Sequence, residues 1–278
     1  MSKRVRVLID CRDARGLVYQ ISKVFYDRGL NIENNREFVD SEKGRFFMRS
    51  VVTGEFDTGE LRSALVSAAP EDAHIRVIEP RAKKIVLMAT KESHCLGDIL
   101  IRWAAGELDA EIEAVISNRD NLRELTRRFD IPFLHISSDG IERGEHEKLI
   151  LEVLEGLEFD YVVLAKYMRI LSSDFVHRYP ERIVNIHHSF LPAFVGANPY
   201  KQAYSRGVKI IGATAHFVTT DLDEGPIISQ DVIPVNHRFE WKDMQRAGKD
   251  VEKIVLARAL SLVLNDRVFV HGNKTIIF

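Results

Sequence analysis

The segment Ile183-Val184-Asn185-Ile186-His187-His188-Ser189, together with Gly212-Ala213-Thr214-Ala215-His216-Phe217-Val218 and the turn Asp221-Leu222-Asp223-Glu224-Gly225-Pro226, decides how this chain reads. Each run is apolar and stops abruptly at polar, ionisable residues, as the carboxyl end of a buried strand does when it delivers side chains to a site. Asn185 and His187 stand two apart on an extended segment, so they point the same way. Asp223 falls in the turn before the next strand. An amide, an imidazole and a carboxylate at one sheet edge suit acyl transfer. The amide steadies a developing oxyanion, while the imidazole and carboxylate position a nucleophile and its protons. Taken singly, His187 reads as a loop histidine and Asp223 as a turn former; only the pattern carries the chemistry.

Upstream, strands and helices alternate: strands at 85–89, 112–117, 132–136, 161–165 and 183–186, helices at 95–106, 122–129, 142–156 and 173–179. The strands are continuous β-branched runs, the signature of an α/β domain whose mostly parallel, Rossmann-like sheet is covered by helices on both faces. Sites in such sheets lie beyond the carboxyl ends of the strands. The stretches Lys166-Tyr167-Met168-Arg169 and Asn185-Ile186-His187 should therefore line one crevice. Downstream, a loop over 188–206 precedes two more strands (209–218 and 227–235), a long helix over 241–264 and a closing hairpin over 266–278.

Residues 1–80 follow another rhythm. A strand at 4–9, a polar turn at 10–16, an amphipathic helix from Leu17, a hairpin over 31–52, a helix at 58–69 and a strand at 74–78 give βαββαβ, a ferredoxin-like unit. With Gly16 after the first turn and Gly29-Leu30-Asn31-Ile32 opening the second strand, this part resembles an ACT domain, a small amino-acid-sensing module. The resemblance implies an amino-acid effector held near Gly16, Leu17, Asn31 and Ile32, and a homo-oligomer. Without it, the glycines read as backbone punctuation in an oligomerisation platform. The turn lacks the proline associated with such ACT turns. Glu79-Pro80-Arg81-Ala82-Lys83 reads as the linker, and a second domain over 84–278 follows.

Composition excludes several classes. Among 278 residues, 39 are basic and 41 acidic, so no global field favours nucleic acid or an anionic membrane. No apolar run approaches the roughly 20 residues of a membrane span, and the N-terminus lacks the apolar core of a signal peptide. Cys11 and Cys95 provide no disulfide framework. A cytoplasmic protein is expected. His187-His188 lacks a third ligand at useful spacing, so no metal is expected, and Cys95 reads as a small packing residue.

Asn185-Ile186-His187-x-Ser189-x-Leu191-Pro192, followed by His216-Phe217-Val218-Thr219-x-x-Leu222-Asp223-x-Gly225-Pro226-Ile227-Ile228, closely resembles the folate-dependent formyltransferase family. The resemblance covers residues 84 to 265 and implies 10-formyltetrahydrofolate as substrate, with no separate cofactor. It also implies Asn185, His187 and Asp223 as the catalytic trio. Met168, Arg169, Ile170 and Leu171 then form one wall of the folate site; Val218, Thr219, Asp221 and Leu222 form the other.

The formyl acceptor is read from what is missing. A ribonucleotide acceptor calls for a glycine-rich phosphate cradle after the first strand. Here that turn is Thr90-Lys91-Glu92-Ser93-His94, without glycine and with a carboxylate. A transfer-RNA acceptor calls for an additional basic domain, and no basic excess is present. Water is left. The N-terminal ACT-like unit, Lys91-Glu92-Ser93-His94-Cys95-Leu96 and the double histidine look like the branch of the family that releases formate, which implies a supply of formate for purine synthesis and a balance of one-carbon pools. Glu92, His94 and His188 are candidates for ordering the water. The alternatives are a formyltransferase to a small amine, or a folate or amino-acid sensor without catalysis.

Overall fold

The computed structural model describes residues 3–193 and 199–278, in two compact units that divide after Arg81. In the first unit, β1 (Lys3–Arg12), α1 (Leu17–Asp27), β2 (Asn31–Asp40), β3 (Arg45–Gly54), α2 (Thr58–Ala68) and β4 (His74–Ile78) build an antiparallel sheet in the order β2-β3-β1-β4. Val5, Val7, Ile9 and Cys11, every second residue of β1, share one core with Leu17, Ile21, Val24 and Phe25 of α1 and Leu61 and Leu65 of α2. Both helices therefore cover the same face.

The polar turn expected at 10–16 begins later. The two-residue period carries on to Cys11, which is buried opposite Phe46, so β1 continues to Arg12. Gly16 then starts α1 in the left-handed region at φ 88°, where a glycine avoids the Cβ clash. Leu17 points into the core, while Asn31 is exposed and pairs with Thr53.

The second unit opens with β5 (Lys83–Ala89), α3 (His94–Ala104), β6 (Ala110–Ser117), α4 (Arg123–Arg127), β7 (Phe133–His135), α5 (Arg143–Glu155), β8 (Tyr161–Leu164), α6 (Ser173–Arg178) and β9 (Ile183–His187). It continues through α7 (Pro199–Arg206), β10 (Ile210–Phe217), β11 (Ile227–Pro234), α8 (Trp241–Leu264), β12 (Val268–His271) and β13 (Lys274–Ile277). The seven-stranded sheet runs β11-β10-β9-β8-β5-β6-β7. Strands β5 to β9 pair in parallel, whereas β10 and β11 are antiparallel additions at one edge. Ile85, Leu87 and Ala89 face a core shared with α3 and α8, while Val86 and Met88 face one shared with α5 and α6. That double burial is why the strand carries no polar alternation.

Within the expected loop over 188–206, residues 199–206 form a helix and 194–198 lie outside the described residues. The helix has a physical basis: Pro199 suits a first helical position, and Tyr200 and Ala203 are buried on one side. The strand order reverses between β5 and β8, which opens a crevice beyond their carboxyl ends. Thr90, just past β5, ties the two ends together: its hydroxyl accepts from the Met168 amide at 2.9 Å and its own amide donates to the Lys166 carbonyl at 3.3 Å. Among the described residues, no helix is long and apolar enough to cross a membrane.

Candidate active site

Strands β8 and β9 and the turn between β10 and β11 surround a cleft of ≈ 540 Å³. Asn185 and His187 reach it from β9, and Asp223 reaches it from the turn. His187 Nδ1 lies 3.2 Å from Asp223 Oδ1. The other ring nitrogen, Nε2, is buried and has no polar partner among the described residues. His187 is thus fastened at one end and open at the other.

Asp223 itself adopts φ 58°, a left-handed conformation that aspartate tolerates better than most residues. Gly225 makes the turn possible: a Cβ there would overlap the carbonyl of Phe217, whose amide donates to the Pro226 carbonyl at 2.9 Å. Burial pushes the Asp223 carboxyl up, but hydrogen bonds and positive charge from His187 and His216 outweigh it and hold the group well below the usual carboxylate range.

His216 is the member of the site that sequence reading quoted without assigning it a role. It stands opposite Asn185 in the β9–β10 register. Its Nδ1 faces the Phe217 carbonyl at 2.9 Å, which can only accept, so Nδ1 carries a proton. When the ring is neutral, Nε2 is then an acceptor, and Asn185 Nδ2 donates to it at 3.2 Å. The bond fixes which way the Asn185 amide faces and leaves its second N–H available. The 3.7 Å from His216 Nε2 to Asp223 Oδ1 is an ion-pair distance that becomes attractive when His216 is protonated. Thr214, opposite His187, accepts from the Leu191 amide at 3.0 Å and donates to the Ser189 carbonyl at 2.9 Å, anchoring the chain as it leaves β9.

The walls are apolar where the cleft opens. Met168, Arg169, Ile170 and Leu171 line one side and Val218, Thr219 and Leu222 the other; Asp221 is not part of the lining. Met168, Ile170 and Leu222 are all more than half exposed. Large apolar side chains left uncovered around a cleft suit a flat organic ligand that buries them on binding.

The three water-ordering candidates part company. His188 lines the cleft, stacked on His187 with centroids 4.9 Å apart. Burial, reinforced by Lys166 and His187, lowers its pKa to about 4. Glu92 lines a neighbouring chamber instead, and His94 stands behind it, 2.7 Å from Glu252 and 3.5 Å from Glu92. Glu252 also receives the Tyr200 hydroxyl at 2.7 Å and pairs with the Lys166 ammonium at 3.2 Å. Sequence reading missed Glu252, Tyr200 and Lys166 in this arrangement. A lone acidic residue on the buried face of a long helix was the one available signal.

His94, Cys95 and Glu252 bring one potential ligand atom each within 4.8 Å of one another. A cation is not what they suit. Burial pushes the Cys95 thiol well above its ordinary range, and Lys166 already neutralises Glu252.

Residues 83–260 match the formyl transferase family and residues 5–69 the ACT domain family. The chain is 53% identical to the formyltetrahydrofolate deformylase of Haemophilus influenzae over 277 residues, with all of both chains covered. The chain belongs to the formyltetrahydrofolate deformylase family. The deformylase of Escherichia coli K12 is 55% identical over 268 residues, 96% of this chain and 95% of its own. The crystal structure of a deformylase from Pseudomonas syringae pv. tomato, 43% identical, superposes with a TM-score of 0.95 over 100% of this chain and 95% of that one. Deformylase similarity therefore runs through both units, not through the formyl transferase part alone.

Proposed function

We propose that this chain hydrolyses 10-formyltetrahydrofolate to tetrahydrofolate and formate in the cleft between β8 and β9. The observation that carries the reading is His187: Asp223 holds one nitrogen while the other, buried and unpartnered, borders a cleft with an apolar mouth. A polar atom buried without a partner is costly, and a carbonyl oxygen arriving with substrate removes that cost.

In the proposed reaction the pteridine side of the folate covers Met168, Ile170 and Leu222, and the formyl oxygen meets Asn185 Nδ2 and His187 Nε2. His187 donates to that oxygen from Nε2 while Asp223 holds Nδ1. Asp223 Oδ2, free of protein partners among the described residues, holds the attacking water. The water oxygen bonds to the formyl carbon, and negative charge gathers on the former carbonyl oxygen, where the Asn185 and His187 donors stabilise it. One water proton passes by way of Asp223 to N10 of the folate as the carbon–nitrogen bond breaks. The formic acid left behind loses its remaining acidic proton to solvent. Since a strongly acidic Asp223 is a weak proton sink, its proton is carried only in passing, which suits a relay more than a reservoir.

We read the ACT unit as the place where an amino-acid effector and a second subunit meet the chain, and the family matched over residues 5–69 supports that reading. Two cysteines, both free and buried, support a reducing, cytoplasmic setting, where the released formate supplies one-carbon metabolism. Folate enters as substrate, and the reaction draws on no further cofactor.

Purified protein incubated with 10-formyltetrahydrofolate and no added acceptor should release one formate per tetrahydrofolate, and Asp223→Asn should abolish the release. Tetrahydrofolate formed only when an amine is supplied would overturn hydrolysis in favour of transfer.

A further inference from the structure

Beyond His188 lies a second cavity of ≈ 160 Å³. Lys166, Met168 and His188 border both spaces, so the chamber adjoins the reaction centre through the residue that follows His187. We propose that this chamber is a binding site for a small carboxylate, the formate produced by hydrolysis, which it holds between carbon–nitrogen cleavage and release. The assignment of the ligand rests on the hydrolytic reading above.

The charges favour an anion. Lys166, Lys201 and Lys249 face the chamber against Glu92 and Glu252. Both carboxylates are already occupied: Glu252 by Tyr200, His94 and Lys166, and Glu92 by Lys249 at 3.1 Å and His94 at 3.5 Å. The ammonium groups are not used up. Each has three N–H donors, and Lys166, only 5% exposed, has Glu252 as its one ion-pair partner among the described residues. Lys249 likewise has only Glu92, while Lys201 rests over the Trp241 ring at 4.7 Å. Ammonium groups with N–H donors to spare around a confined space favour a ligand that supplies lone pairs.

Position gives the chamber a use. At the reaction centre a newly formed formate sits beside the ionised Asp223, and two like charges at such range repel. On the far side of His188 three ammonium groups outnumber two carboxylates. The step moves an anion from a carboxylate toward ammonium groups, with no covalent change. The size sets the ligand class: the space takes an anion of three heavy atoms with water, while the two glutamates in the wall oppose a phosphate.

The test is equilibrium binding of carbon-13 formate to the full chain, read by NMR line broadening, with tetrahydrofolate saturating the cleft. Wild type should bind formate under these conditions. Lys249→Gln, at a surface-accessible position, should weaken binding roughly tenfold, as loss of one close charge contact in a partly solvated site predicts. Lys249→Arg should restore most of it. Equal affinity in wild type and Lys249→Gln, or loss of formate binding when tetrahydrofolate fills the cleft, would overturn the assignment. Formate binding in the chamber by a protein that releases no formate from 10-formyltetrahydrofolate would uphold the site and sink the hydrolytic reading. Hydrolysis by a protein that binds no formate would do the reverse.

Discussion

His187 and Asp223 meet at 3.2 Å although 35 residues and two further elements separate them in the chain. Strand β10 runs antiparallel to β9 and ends beside Val184, and the turn that follows folds back so that Asp223 reaches both His187 and His216. Everything proposed for the chemistry follows from the freedom this leaves to His187 Nε2 and to one N–H of Asn185.

Asn185→Ala removes the proposed donor to the oxyanion and leaves the apolar walls intact. Turnover should fall by about 10² to 10³, while the dissociation constant for a non-hydrolysable folate analogue changes little. Equal losses in both quantities, from steady-state kinetics and equilibrium titration, would place Asn185 in ground-state binding instead.

Leu222→Ala and Met168→Ala touch the mouth and not the trio. Each exposed side chain that a ligand covers is worth about 1 to 2 kcal/mol by area, so KM should rise roughly five- to thirtyfold with kcat nearly unchanged. A fall in kcat with constant KM would mean that these residues act in the transition state.

His188 has a folded-state pKa lowered to about 4, against an ordinary value of 6.5. Between these pH values the unfolded chain binds the proton that the folded chain refuses, so stability rises with pH across this window and levels off above it. His188→Gln removes the term. Its urea midpoint should decline less than that of wild type between pH 7 and pH 4.5, and identical slopes would show that the ring is not held neutral by the fold.

Gly248 on α8 packs so closely on Tyr200 that a Cβ has no room. Gly248→Ala should displace the Tyr200 ring, weaken its bond to Glu252 and cost about 1 to 3 kcal/mol. Tyr200→Phe loses the same bond, so the double variant should be less destabilised than the sum of the two single changes. Strict additivity in thermal denaturation would uncouple the helix from the charged network.

Much of the fold was legible because burial leaves a period in the sequence. The two-residue alternation of β1 and the unbroken apolar run Ile85–Ala89 of β5 each report how many faces a strand buries. The first of these patterns even extends to Cys11, past the point where polar neighbours suggested a turn. Helix α7 was not legible, because it spans only eight residues and just Pro199, Tyr200 and Ala203 mark the buried side.

The site divides in the same way. Asn185, His187 and the apolar walls of the cleft are local: two residues on one strand share a face, and apolar residues flank the ends of neighbouring strands. By itself the sequence determined the two folding units, the strand ends that carry chemistry and the residue types gathered there, because these follow from periodicity over a few residues. Only the tertiary structure decided that His216 orients Asn185, that His94, Lys166, Tyr200 and Glu252 form one network, and that a charged chamber opens behind His188. Those contacts join positions 31 to 158 residues apart, and no local period encodes which distant side chains a sheet and a long helix bring within hydrogen-bonding reach.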